Sequence, residues 1–235
     1  MYMKKLLLFI VLVAFPLLAM AQASGGQIRR HSRPQHTERS NENRQRTANQ
    51  HKHDNTQPKR SLPTGKVNGY DAIDLGLSVR WATCNVGASS PEDFGGLYAY
   101  GDPTGVKFVE DKSEYPFIVI TNTDLDMAKS NWGDGWRLPT KKEFKELIDK
   151  CRWLYVEDKG IKGYKLIGSN GNEIFLPFAG QTLDGHIRID EKTGYYRSGD
   201  IKSKEPYSLV LYINGYYLRS DPFINNGYSV RAVTD

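Results

Sequence analysis

The chain has 235 residues, with 32 Lys and Arg against 27 Asp and Glu, for a formal net charge of +5. That excess is uneven: residues 22–66 hold ten basic side chains against three acids, whereas residues 67–235 hold 20 against 24. The long C-terminal part is therefore mildly acidic and advertises no nucleic-acid face, and its size suits one domain with a single core.

The first five residues include Lys4 and Lys5, and an apolar run from Leu6 to Met20 follows, closed by Ala19-Met20-Ala21. This is the pattern of a secretory signal peptide over residues 1–21, cleaved after Ala21. The run is shorter than the roughly 18 to 20 residues that span a bilayer. No cysteine follows it to carry a lipid, and no later segment is apolar enough to cross a membrane. The expectation is an exported protein, extracellular, at the cell surface or periplasmic, with no transmembrane segment after cleavage.

Residues 22–66 are rich in Arg, Gln, Asn, His, Ser and Thr and almost devoid of large apolar side chains. Such a segment cannot offset its ordering entropy by burial, so a disordered basic linker is expected. It serves either as a spacer or as a contact for anionic envelope polymers through Arg29, Arg30, Arg33, Arg44, Arg46, Lys59 and Arg60. Its histidines, His31, His36, His51 and His53, have no structural zinc spacing.

From residue 67 the pattern is that of an α+β domain with short antiparallel strands, one main helix and long loops. Strands are expected at Val79–Thr83 and Leu97–Tyr100, and a short helical turn at Asp124–Asn131. The main helix starts at Thr140, where Thr140 and Glu143 form a T-x-x-E capping box. Phe144, Leu147, Ile148 and Cys151 then share one face. Beyond it, Tyr164–Gly168 and Glu173–Pro177 flank Ser169-Asn170-Gly171-Asn172, and Leu209–Ile213 and Tyr216–Ser220 flank Asn214-Gly215, both hairpin signals. Ser229–Val233 reads as the last strand. Cys84 and Cys151 are the only cysteines, and in an exported chain a disulfide between them is expected, with two buried thiols as the alternative.

Four strings stand out: Gly76-Leu77-Ser78-Val79-Arg80-Trp81-Ala82-Thr83-Cys84-Asn85-Val86-Gly87-Ala88, then Asn131-Trp132-Gly133-Asp134-Gly135-Trp136-Arg137-Leu138-Pro139-Thr140, then Cys151-Arg152-Trp153, and last Ser229-Val230-Arg231-Ala232-Val233. In this order they resemble the Fibrobacter succinogenes major paralogous domain family, over residues 70–235. The resemblance implies an exported or surface protein with a C-type-lectin-like fold, similar also to sulfatase-modifying-factor-like folds, and leaves the activity undefined. Where that family has a Tyr-Tyr-Trp-Ser-like run, this chain has Tyr195-Tyr196-Arg197-Ser198, which would expose a charge in place of a broad ring. A second departure is Ala99-Tyr100-Gly101-Asp102, where an aromatic and Trp-Gly-Glu are usual.

Trp132, Trp136 and Arg137 precede the main helix, either as a packed corner with Arg137 paired to a carboxylate or with one indole open to a sugar ring. The adjacent pairs Tyr195-Tyr196 and Tyr216-Tyr217 lie on expected strands, so one ring of each pair should face away from the core. The candidate ligand-binding set is Tyr196, Arg197, Tyr217, Arg219, Asn225, Asn226 and Trp132, suited to a glycan or a surface protein. Asp124, Asp126 and Asp134 do not follow a calcium-loop pattern, and Glu205-Pro206-Tyr207 lacks the amide of sugar-coordinating tripeptides, so no metal and no cofactor are expected. His186 stands in a polar turn, and G-x-S-x-G is absent. The neighbouring acids Glu92-Asp93, Glu110-Asp111 and Asp190-Glu191 read as solvated loops rather than facing carboxylates. The expected function is a non-catalytic binding module, with a structural envelope subunit as first alternative and an enzyme of unknown reaction as second.

Overall fold

The computed structural model describes residues 64–105 and 110–235; the expected signal peptide and all but the last three residues of the basic linker lie outside them. The chain order is β1 (Gly65–Val67), β2 (Tyr70–Ile73), β3 (Arg80–Ala82), a 3-10 turn (Lys112–Glu114), α1 (Met127–Trp132), α2 (Lys141–Lys150), β4 (Arg152–Asp158), β5 (Ile161–Ile167) and β6 (Glu173–Pro177). It continues through β7 (Gln181–Leu183), β8 (His186–Arg188), β9 (Thr193–Lys202), β10 (Glu205–Tyr212), β11 (Gly215–Ser220) and β12 (Val233–Thr234). Among the described residues the strands pair antiparallel in the orders β1-β2-β3-β12, β11-β10-β9, β4-β5-β6 and β7-β8. The class is α+β with β predominant, and no described helix is long and apolar enough to cross a membrane.

The β1-β2-β3-β12 sheet works as a partition, because strand alternation sends successive residues to opposite faces. Ala72 and Ala82, paired across β2 and β3, join one core with Tyr100, Met127, Trp132, Trp136 and Leu138. Ile73 and Trp81, the next pair, join a second core with Phe144, Leu147, Tyr164, Tyr196 and Leu209. Trp81 meets Phe144 of α2 at 5.6 Å between ring centroids. Among the described residues the expectation of one core is thus replaced by two main ones on either side of this sheet, with a small third cluster of Tyr195, Val210 and Tyr228.

This partition also corrects the expected disulfide. Cys84 follows Ala82 by two residues and packs with the first core, whereas Cys151 ends the buried face of α2 and packs with the second. Both are free thiols. Burial pushes Cys151 up to about 11, aided by the charge of Glu146, and also raises Cys84 despite the opposing Arg231 charge. Because the thiolate is the reactive species, alkylation of the native protein at pH 8 should be slow, with two thiols per chain reacting rapidly after denaturation. A single mass before and after reduction, and two thiols counted in urea, are the expected readings; none counted would restore the bridge.

Helix α2 has the expected capping box: the Glu143 N–H donates to Thr140 Oγ1 at 3.2 Å, and the Thr140 N–H donates to Glu143 Oε2 at 2.7 Å. Glu143 also takes both arms of Arg137, at 3.0 and 2.7 Å, and Arg137 reaches Asp235 at 2.7 Å. Burial opposes the Glu143 charge, but these donors hold its carboxyl below the usual range.

Four hairpins turn through two residues of positive φ, the geometry that matches strand twist: Asn68-Gly69, Lys159-Gly160, Asp184-Gly185 and Ser203-Lys204. Only the last lacks glycine, with Lys204 at φ 70°. Relieving that conformation by Lys204→Gly should stabilise the fold by about 0.5–1 kcal/mol, raising Tm by roughly 2–4 °C. A fall in Tm on thermal melting would show that the Lys204 ammonium over the Phe117 ring, 5.1 Å from its centroid, outweighs backbone strain.

Strand expectations failed where the chain changes partners. Leu97–Tyr100 makes only a bridge between Tyr98 and Tyr228. In residues 229–232 the Ser229 N–H donates to the Tyr195 carbonyl, while the carbonyls of Val230 and Ala232 accept from the N–H groups of Val86 and Ala82, so a ladder forms only at Val233–Thr234. The β10-β11 loop is Ile213-Asn214, one residue earlier than Asn214-Gly215, since Tyr212 pairs with Gly215.

Arg231, within that segment, is fully buried, and among the described residues its hydrogen-bond partners are all uncharged. Its Nε donates to Asn85 Oδ1 at 3.0 Å, Nη1 to the carbonyls of Ala82 and Thr83 at 3.1 and 2.9 Å, and Nη2 to the carbonyl of Phe175 at 2.9 Å. One guanidinium thereby ties β3, the loop after it and β6.

Candidate ligand-binding face

The β9-β10-β11 sheet has two unlike faces. Its inner face presents Tyr196, Leu209, Leu211 and Leu218 to α2 and the second core. The cross-strand rows on the outer face follow from register: Tyr195, Val210 and Tyr217 form one, and Arg197, Ser208 and Arg219 the next. Segment 221–228 folds over the β9 side of this outer face. Tyr228 stacks on Tyr195 at 4.9 Å, with the Arg197 guanidinium 3.9 Å from the Tyr228 ring centroid.

Asp221, fully buried, fastens this cover: it accepts from the Tyr228 hydroxyl at 2.7 Å, Arg219 Nη2 at 2.9 Å and the Phe223 N–H at 3.0 Å. The Arg197 Nη2 donates to the Asn226 carbonyl at 2.7 Å. Burial raises the Tyr228 phenol well above its usual value, so it remains a donor.

The β10-β11 side of the face is left open. Tyr217 is 42% exposed and stacks on Tyr212 at 5.8 Å between centroids, their hydroxyls 3.3 Å apart. That hydroxyl contact and burial raise the Tyr212 phenol. Half-buried Arg219 stands two residues along the same edge strand, its guanidinium 6.0 Å from the Tyr195 ring.

The seven expected site residues therefore divide. Tyr217 and Arg219 come together on the open face. Tyr196 is buried on the opposite side, its hydroxyl donating to the Pro177 carbonyl at 2.7 Å. Arg197 shares the outer face but is fully buried under Tyr228, so it exposes no charge. Asn225 and Asn226 are buried in the covering segment, Asn226 Nδ2 donating to Gln181 Oε1 at 3.1 Å. Trp132 is buried between Tyr70, stacked at 4.1 Å, and Trp136, edge-on at 5.2 Å, which makes the Trp-Gly corner core rather than a platform. Alternation correctly separated the two rings of each tyrosine pair, but Tyr195 is buried as well because segment 221–228 covers it. Tyr212 was missed; its signal was the hairpin register, which brings it close to Tyr217.

Among the described residues no three His, Cys, Asp or Glu side chains gather as a metal site. Asp126 caps α1, accepting from the N–H groups of Asn122, Ala128, Lys129 and Leu138, and Asp134 is an exposed partner of Lys129. His186 is exposed on the β7-β8 hairpin. No protein-family model matches the chain, and no match was found among curated proteins or solved structures.

Proposed function

We propose that the chain is an exported, non-catalytic recognition module on a C-type-lectin-like domain, binding a glycan or a protein at a cell surface. The ligand rests on Tyr217, Tyr212 and Arg219. The observation that carries this reading is the stacked tyrosine pair, with the Tyr217 ring exposed, beside a guanidinium on one hairpin. Tyrosine offers broad apolar area with a polar tip at small entropic cost, which suits sugar rings and peptide surfaces alike. Short antiparallel strands, one ten-residue helix and long connections support the lectin-like assignment. The purified chain should bind saturably to a ligand on a glycan array or cell-surface extract, and Tyr217→Ala should weaken that binding about thirtyfold.

A structural role in an envelope assembly is favoured by one separate feature. The β7-β8 hairpin exposes Leu183, Ile187 and Ile189, with Ile187 66% exposed. Absence of any saturable ligand, together with co-purification of envelope proteins lost on Ile187→Asp, would favour assembly over recognition.

A further inference from the structure

Strand β4 is the outer strand of the β4-β5-β6 sheet, and among the described residues one of its long sides has no neighbouring strand. The two-residue turn Lys159-Gly160 makes Asp158 and Ile161 a hydrogen-bonded pair. Alternation along the antiparallel ladder does the same for Val156 with Gly163, Leu154 with Lys165 and Arg152 with Ile167. Those four residues of β4 commit their N–H and C=O groups to β5. Trp153, Tyr155 and Glu157 turn theirs the other way, and among the described residues no backbone group answers them.

Natural sheets blunt such an edge with proline, lysine, a bulge or a covering element. Residues 152–158 contain no proline, glycine or lysine, and the β4-β5 register runs without a shift. The edge also shows apolar surface, for Tyr155 is 43% exposed and Leu154 is exposed beside it. Its first and last residues, Arg152 and Asp158, carry opposite charges. Among the described residues neither has an ion-pair partner.

This strand is complementary to itself. Laid antiparallel on a second copy about a two-fold axis through Tyr155, it sets Tyr155 against Tyr155 and Trp153 against Glu157, so every outward N–H and C=O gains a partner. Leu154 then faces Val156, and Arg152 faces Asp158, in the non-bonded pairs whose side chains approach most closely. A slip of one residue puts the bonding groups out of phase. A slip of two places Arg152 opposite Val156 or Asp158 opposite Leu154, which leaves the charges unmatched.

We propose that β4 is a dimerisation edge, through which two copies of this chain join their β4-β5-β6 sheets into one continuous sheet. A second copy is the occupant because the end charges and the apolar centre match in one register only. The contact is short, so the dimer is reversible, with a Kd on the order of tens of micromolar. It uses no residue of the tyrosine face and stands or falls apart from the recognition reading.

Sedimentation velocity of the purified chain across the micromolar range should show a reversible monomer–dimer equilibrium. Arg152→Asp and Asp158→Arg each set like charges opposite one another at both ends, and each should weaken the dimer about tenfold. Mixed together, the two variants regain opposite charges at both ends and should associate about as tightly as the parent, which a dimer built on another face would not do. A parent that stays monomeric overturns the proposal and leaves the edge to an extended segment of another protein. A dimer that tolerates both reversals, or a mixture that associates no better than either variant alone, overturns it too. Should a variant fail to fold, hydrogen exchange on the parent decides. The amides of Trp153, Tyr155 and Glu157 should gain protection as concentration rises, with those of Leu154 and Val156 protected throughout; exchange of the first three that ignores concentration refutes the pairing.

Discussion

Replacing Arg231 by methionine is expected to destabilise the domain by about 3–5 kcal/mol, more than any surface change. The guanidinium is fully buried and makes four donations, one to the Asn85 amide and three to backbone carbonyls. Burial lowers its own affinity for a proton, yet the surrounding oxygens would cost more if left unpaired, roughly 1–3 kcal/mol for each that finds no water. Lysine should not rescue it, because a point charge on a single stem cannot reach acceptors spread around a planar fork. Urea unfolding of Arg231→Met and Arg231→Lys checks both statements. A loss under about 1 kcal/mol in the methionine variant would mean that the carbonyls find other donors and that the clamp is incidental.

Removal of the Tyr217 ring has the largest expected effect on binding, with little on stability. Alanine there takes away the exposed half of the stacked pair, and an exposed aromatic at the centre of a contact is typically worth 2 kcal/mol or more, about a thirtyfold loss of affinity. Tyr217→Phe, keeping the ring and losing the hydroxyl contact to Tyr212, should retain most of it. Arg219→Gln should weaken binding less, unless the ligand is anionic. The argument requires the melting temperature of Tyr217→Ala to stay within a few degrees of the parent. Full affinity in that variant, measured on the ligand the parent binds, would move the recognition face elsewhere.

Local signals in the sequence were read well and long-range ones poorly. The T-x-x-E box at Thr140, the apolar face of α2, and the β5-β6 hairpin around Asn170-Gly171 depend on neighbours a few residues apart, and they formed where their chemistry places them. The open face was half legible: alternation pointed to Tyr217, and the hairpin kept Arg219 beside it. What hid Arg197, Tyr195 and Asn226 was segment 221–228, which folds over β9 through contacts that leave no period in the sequence. The same holds for the two cysteines. Cys151 was read as core-directed and is, but nothing local to it or to Cys84 reveals that a sheet lies between two cores. Glu92 was misread because an acid in a polar loop is solvated by default, whereas its side chain is only 6% exposed and meets the ammonium of Lys159 from the distant β4-β5 turn.

The partition sheet is woven from distant parts of the polypeptide: β2 and β3 lie within residues 70–82, and their remaining neighbour, β12, spans Val233–Thr234. Closing such a pairing late carries a large loop-entropy barrier, the hallmark of slow folders. A chain emerging from a ribosome would hold both cores ajar until β12 arrived, and the two would then set in one concerted step.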